Sequence, residues 1–269
     1  MDGGIASLFH AGRARLAATE RRRWGHRSDK MQMSEQQKKG IILVLAESFT
    51  AVTHALIEGA KSRPDEATVD PRDEPLIKIL LHCAELSRGC TDVGRGCNAT
   101  ALAILARALL ENFILALWIT KSEENALSLE HEAVAELARI ARVNLKAGKL
   151  KILNKETGED ASTRFLDTDR FKNLPKRMSV EARAREANVL DLYNVFYRFL
   201  SMDIHGHGER ITSNEFYLDL ATMHLQGIGA LLKAIECTGR MWLKDRRCPD
   251  NEELRSILGL GNWGTSIKL

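Results

Sequence analysis

Residues 98–120 read Asn98-ATALAILARALLENFILALWI-Thr120, the most apolar window in the chain, and the placement of this stretch decides the fold. Its length suits either a membrane span or a helix inside a protein. Arg107, Glu111 and Asn112 stand near its middle, and a charge at the centre of a span costs roughly 2.5–3.5 kcal/mol on insertion scales. The stretch therefore reads as a helix buried in a protein core, with Asn98 as its N-cap.

Working outward, the pattern stays helical. Upstream, SRGCTDVGRGCN (87–98) reads as a Gly-studded break, preceded by a short helix carrying Leu76, Ile79, Leu80 and Cys83. A Pro- and acid-rich loop (64–75) comes before that. From Ser34, Ile41, Ile42, Leu45, Phe49, Val52 and Leu56 recur at three- and four-residue spacing on one face of a helix that ends before Pro64. Downstream, a helix near 126–147 shows Leu129, Val134, Leu137, Ile140 and Leu145 on one side, while 148–178 reads as a basic loop with at most a short helix. Ser179 can cap a helix running to about His205. Thr212 with Glu215, and Asp250 with Glu253, have capping-box spacing and open a long helix to about Lys244 and a short terminal one.

Six or seven helices, no alternating strand pattern and no fixed repeat predict an all-α helical bundle. Only residues 206–211 separate the helix ending near His205 from the one opening at Thr212, so these two form a long C-terminal helical hairpin. The domain reading is a basic N-terminal extension over 1–33, loosely ordered, followed by a single helical domain over 34–269.

The chain has 269 residues, 44% of them hydrophobic and 28% charged, with 5 Pro and 19 Gly. That composition supplies a core and excludes a disordered or collagen-like chain. The net charge of +3 comes from the extension, where seven Lys/Arg face Asp2, Glu20 and Asp29. Within the body, residues 139–185 hold thirteen Lys/Arg against six Asp/Glu, and 123–136 holds five Glu with no Lys or Arg. This polarity is a footprint for an anionic partner, and equally the pattern of a solvated surface. Five Cys, an odd number, and no apolar leader segment lead us to expect free thiols in a reducing, cytoplasmic location, with no membrane partner.

Gly89, Gly94 and Gly96 superficially suggest a phosphate loop, but Arg95 and Gly96 stand where Lys and Ser/Thr would be needed and no strand precedes them. Cys83, Cys90 and Cys97 are spaced seven apart, too far to close a zinc tetrahedron in pairs. Asp203, His205 and His207 alternate, which on a helix sends neighbours to opposite sides. We expect neither a metal nor an organic cofactor.

A stronger constellation is Arg198-Phe-Leu-Ser201-Met-Asp-Ile-His205. On a regular helix Arg198 and His205 share a face two turns apart, and Tyr197, Ser201 and His205 follow at i, i+4 and i+8. A cation, an imidazole and hydroxyls on one stripe suit phosphodiester chemistry, since His moves protons near neutral pH and Arg holds developing phosphorane charge. The same residues also suit an interior polar network. Arg107 and Glu111, at i and i+4 inside the apolar helix, add a second polar intrusion. They either satisfy one another, or Glu111 faces Arg198 across the bundle.

An Arg followed after four to six residues by His, near the end of a long helix and with an acidic residue on an earlier helix, resembles the HEPN superfamily of nucleotide-binding domains. More narrowly, Arg107-x3-Glu111 with Tyr197-x3-Ser201-x3-His205-Gly206 is similar to a bacterial all-α family of unknown function. The resemblance implies a helical bundle, often a homodimer, and in active members metal-independent RNA cleavage. Arg198 would then stabilise the phosphate and His205 would act as acid or base, with Arg107, Glu111, Tyr197 and Ser201 in support. Lys149 and Lys151 of the basic segment would hold the RNA backbone. Phe199 stands where many active members carry a polar residue. The alternative is a non-enzymatic helical binding module in which the Arg/Glu/His cluster is structural.

Because residues 1–30 carry charge without core-forming periodicity, deletion to Met31 should leave stability to denaturant nearly unchanged. A loss above about 2 kcal/mol, the scale of one buried large side chain, would show that the extension packs into the body.

Overall fold

A computed structural model describes residues 33–62, 70–168, 171, 177–197, 200 and 214–259. The chain divides into two compact units, residues 1–38 and 39–269. In the first, the described part is Met33–Lys38, where the Gln37 N–H donates to Ser34 Oγ and the Ser34 N–H donates back to Gln37 Oε1. This reciprocal cap opens α1, Glu35–Lys61.

The helices that follow are α2 (Asp73–Arg95), α3 (Ala99–Lys121), α4 (Glu123–Lys146), α5 (Ser162–Leu166), α6 (Val180–Glu186) and α7 (Leu190–Leu192). α7 runs into a π-helical turn at Tyr193–Tyr197, and α8 (Asn214–Asp245) and α9 (Asn251–Ile257) complete the described chain. The regular structure among the described residues is helical, with one isolated antiparallel bridge between Leu153 and Asp160. The protein is an all-α helical bundle.

α3 is its axis. Leu102, Leu109, Leu110, Phe113, Ile114, Leu117, Trp118 and Ile119 are all 2% exposed or less. A helix this apolar must be covered on several sides. α8 and α2 pack along it and against one another, and α4 and α6 close further sides. Asn98 Oδ1 accepts the Ala101 N–H at its start, and Ser122 ends it while capping α4 by accepting from Asn125 N–H. By length and composition, α1 and α3 could each cross a membrane, with mean hydropathies of 1.8 and 1.9 in their most apolar windows. In α3, 61% of that window is buried inside the protein.

Three readings need correction. The stretch SRGCTDVGRGCN is not a break, because α2 continues through Gly89 and Gly94 to Arg95. Gly94 serves helix packing: a Cβ there would lie 2.7 Å from Ala46 Cβ and 3.3 Å from Leu225 Cδ2. The helix capped by Ser179 does not run to about His205. It stops at Glu186, Asn188 takes a left-handed conformation at φ 61°, and the chain restarts as α7. Asn accepts that backbone more readily than most residues. Finally, the apolar side of α4 is not a buried face. Leu137 is 66% and Ile140 45% exposed, whereas Ala126, Glu132 and Ala138 are buried. α4 is held through small residues and a buried ion pair: Glu132 accepts from Arg183 of α6 and from the Met178 backbone N–H, and the Arg183 guanidinium lies 4.9 Å from the Trp118 ring centroid.

A second clamp joins the start of α2 to the end of α8. Asp73 accepts from Arg246 and from Trp242 Nε1 at 3.1 Å, and Arg72 stacks over the Trp242 ring at 4.2 Å. Arg246 sits at φ 54°, a strained value for a side chain of its size, so the ion pair offsets the backbone conformation that ends α8. The Asp250–Glu253 capping box on α9 forms as read. Thr212 is outside the described residues, and α8 is described from Asn214.

Two glycines of α2 should respond oppositely to alanine. Gly94→Ala must push Ala46 and Leu225 aside and should lose about 1–3 kcal/mol. Gly89→Ala, whose Cβ meets nothing within 4 Å, should gain about 0.5–1 kcal/mol from helix propensity. Denaturant melts of the two variants check the pair, and equal effects would contradict the packing role of Gly94.

Candidate functional site

The same helix that forms the core carries the polar cluster. Arg107 and Glu111 lie one turn apart on α3, where the bundle is open enough to leave their side chains 26% and 36% exposed. Arg107 Nε donates to Glu111 Oε1 at 3.2 Å. From the opposite side comes Tyr197, the last residue of the π-helical turn. Arg107 Nη2 donates to its phenol oxygen at 2.6 Å, and the guanidinium carbon is 4.6 Å from the ring centroid. The Glu111 charge also acts on the Tyr197 phenol, so Arg, Tyr and Glu form a compact ring of interacting groups centred on Arg107. Of the two sequence alternatives for Glu111, the local pair with Arg107 is present.

The electrostatics follow from this ring. Burial and the Glu111 charge push the Tyr197 phenol above its usual range, against the opposing pull of Arg107. Arg107 is held above its ordinary value by its bonds to Tyr197 and Glu111, although burial acts the other way. The phenol therefore stays neutral at physiological pH and accepts from Arg107. Tyr193 stacks on Tyr197 with ring centroids 4.6 Å apart and planes inclined by 22°, so the π turn carries a stacked pair of rings. A π turn gives each residue a smaller angular step than an α-helix, and such turns recur at functional sites.

Of the sequence-predicted residues, Arg107, Glu111 and Tyr197 come together. Arg198, Ser201 and His205 lie outside the described residues, as do Asp203 and His207. The i, i+4, i+8 stripe thus begins on described structure at Tyr197 and leaves it there. Lys149 and Lys151 are exposed on the segment after α4 and are not part of the ring. That segment is organised by Asn154, whose Oδ1 accepts the Glu156 and Thr157 N–H groups, and by Gly158 at φ 71°.

Sequence reasoning missed the stacking of Tyr193 on Tyr197 and the two ionic clamps. Tyr193 and Tyr197 are four apart, which on a helix signals contact. The clamps join residues dozens of positions apart and leave no local signal. Cys83 and Cys90 are buried in α2, and burial pushes each thiol up to about 12, so neither is a nucleophile near neutral pH.

Residues 73–218, more than half of the chain, match the sequence model of a family described as a family of unknown function, DUF5677. The chain belongs to this family. The match opens at Asp73 of the α2–α8 clamp and takes in Arg107, Glu111, Tyr197, Arg198, Ser201 and His205. No curated protein and no solved structure matches this DUF5677 chain.

The ring makes a stability prediction. Tyr197→Phe removes the hydroxyl that accepts from Arg107 and should cost about 1–2 kcal/mol. Glu111→Gln keeps the shape and, with over a third of the side chain in water, should cost about 1 kcal/mol or less. A loss of about 3–5 kcal/mol for Glu111→Gln in denaturant melts would show a carboxylate fully sealed from solvent.

Proposed function

We propose that this DUF5677 protein is a HEPN-like, metal-independent endoribonuclease in which Arg198 and His205 carry the chemistry. The observation that supports this reading is the Arg107–Tyr197–Glu111 ring. It anchors Tyr197, the residue before Arg198 in the sequence, to the core helix, inside the span matched by the family. The stacked Tyr193 and Tyr197 rings stand beside it, and aromatic side chains are the residues on which unpaired bases stack.

In the proposed reaction an RNA 2′-OH attacks the adjacent phosphorus. His205 takes the hydroxyl proton, Arg198 neutralises charge on the equatorial oxygens, and the P–O5′ bond breaks. A protonated group returns a proton to the departing 5′ oxygen, leaving a 2′,3′-cyclic phosphate and a 5′-hydroxyl. Lys149 and Lys151, exposed on the basic segment, would hold backbone phosphates and contribute affinity without sequence information.

A second reading draws on the same ring. Arg107 bonds both Glu111 and Tyr197 without any ligand, as it would in a purely structural cluster of a non-enzymatic binding module.

Purified full-length protein in excess EDTA should cleave single-stranded RNA to 2′,3′-cyclic-phosphate ends. His205→Ala should abolish cleavage with little change in melting temperature. Arg198→Lys keeps the charge but loses the planar fork, so cleavage should fall further than RNA binding. Neutralising Lys149 and Lys151 should instead weaken binding and flatten its salt dependence. Intact RNA after incubation at micromolar protein across about pH 6–8, the range in which imidazole titrates, would leave the structural reading in place.

A further inference from the structure

α8 carries three interior glycines, each of which makes the helix about 1 kcal/mol less stable than alanine would. One is explained by packing, since a Cβ at Gly239 would lie 2.6 Å from Leu80, and a Cβ at Gly229 would make ordinary contact with Phe49 at 3.4 Å. Gly227 is different, because a Cβ there would meet nothing within 4 Å. The open space beside it belongs to a cavity of about 320 Å³ between α3, α8 and the π turn.

Well-packed interiors hold few voids larger than one water molecule, whereas sites for small molecules begin at about 300 Å³. One wall of the cavity is kept low by Ala106, Gly227 and Ala230, and the remainder includes Leu110, Phe196 and Leu231. Among the described lining residues the polar side chains are His224 and Gln226, with no Asp, Glu, Lys or Arg. An ionised ligand would lose its hydration there and meet no carboxylate, ammonium or guanidinium among the described lining residues. A neutral ligand with an apolar body and one hydrogen-bonding group would lose little.

We propose that this cavity is a binding site for a small, uncharged, mainly apolar molecule, such as a medium-length aliphatic chain ending in a hydroxyl or carbonyl, and that Gly227 keeps it open. The apolar body fills the space beside Gly227, and the polar end meets His224 or Gln226. The site backs onto the polar ring, since Ala106 precedes Arg107 on α3 and Phe196 precedes Tyr197 on the π turn. It does not depend on Arg198 and His205 cleaving RNA.

Titration of the full-length protein with 1-decanol, followed by calorimetry, tests this. Saturable one-to-one binding with a negative heat-capacity change is the expected result, together with an upward shift of the melting temperature. Decanoate, of the same length but charged, should bind at least about tenfold more weakly. Gly227→Leu, which fills the space with side chain, should weaken decanol binding by at least about tenfold while melting at or above the wild-type temperature. Ala230→Leu provides a second blocked variant, and Gly89→Ala, on another helix, should bind as wild type. Non-saturable uptake by the wild type would overturn the proposal, as would decanoate binding as tightly as decanol. Undiminished binding by folded Gly227→Leu and Ala230→Leu variants would place the molecule elsewhere and overturn it too.

Discussion

The structure depends on the burial of α3. Eight large side chains between Leu102 and Ile119 are almost completely removed from water, and each such burial contributes about 1.5–3 kcal/mol. That gain is available only if other helices approach α3 from several directions. The rest of the bundle can be read as the means of bringing them there. Gly94 and Gly239 let α2 lie close to α1 and α8, where any side chain would hold the helices apart. Ser122 serves as the whole connection between α3 and α4.

Burying one helix so thoroughly constrains every polar group on or against it. Thr120 turns its hydroxyl back to the carbonyls of Ala116 and Leu117. The Trp118 indole N–H donates to Glu186 at 2.6 Å, and its ring carries the Arg183 guanidinium. Arg183 is paired in turn with the buried Glu132. Removing either partner of such a pair strands a charge, so the ion pair specifies how α4 and α6 meet even if its net stabilisation is small. The clamp of Asp73 with Trp242 and Arg246 acts likewise between chain segments far apart in sequence.

The candidate site is the place where this demand is met incompletely. Arg107 and Glu111 sit on the core helix but at an edge reached by water, and their third partner is a tyrosine from a π turn. Next to them the packing gives way to a cavity at Gly227. A polar ring and an apolar void on neighbouring residues of the same helix are both departures from an efficient core. Departures of this kind are where function is expected in a chain that is otherwise locally consistent.

The all-α class, the course of most long helices, and several caps are legible in the sequence. They depend on short-range periodicity and on residues three or four apart: Asn98, Ser122 and Asp250 each cap the helix whose start they mark. The Arg107–Glu111 spacing was legible for the same reason, as one of two alternatives for Glu111. What was not legible required knowing which surfaces meet. Gly89 and Gly94 look alike in the sequence and read as a break, yet only the approach of Ala46 gives Gly94 its role. The apolar residues of α4 had a helical period, yet Leu137 and Ile140 stay exposed, and the buried positions went to Ala126, Ala138 and Glu132, which pairs with Arg183. Tyr197 joined Arg107 through a π turn that no residue spacing announces. Local patterning thus determined which segments are helices, while tertiary packing decided which faces are inside, because burial is a property of two surfaces and the sequence displays one at a time.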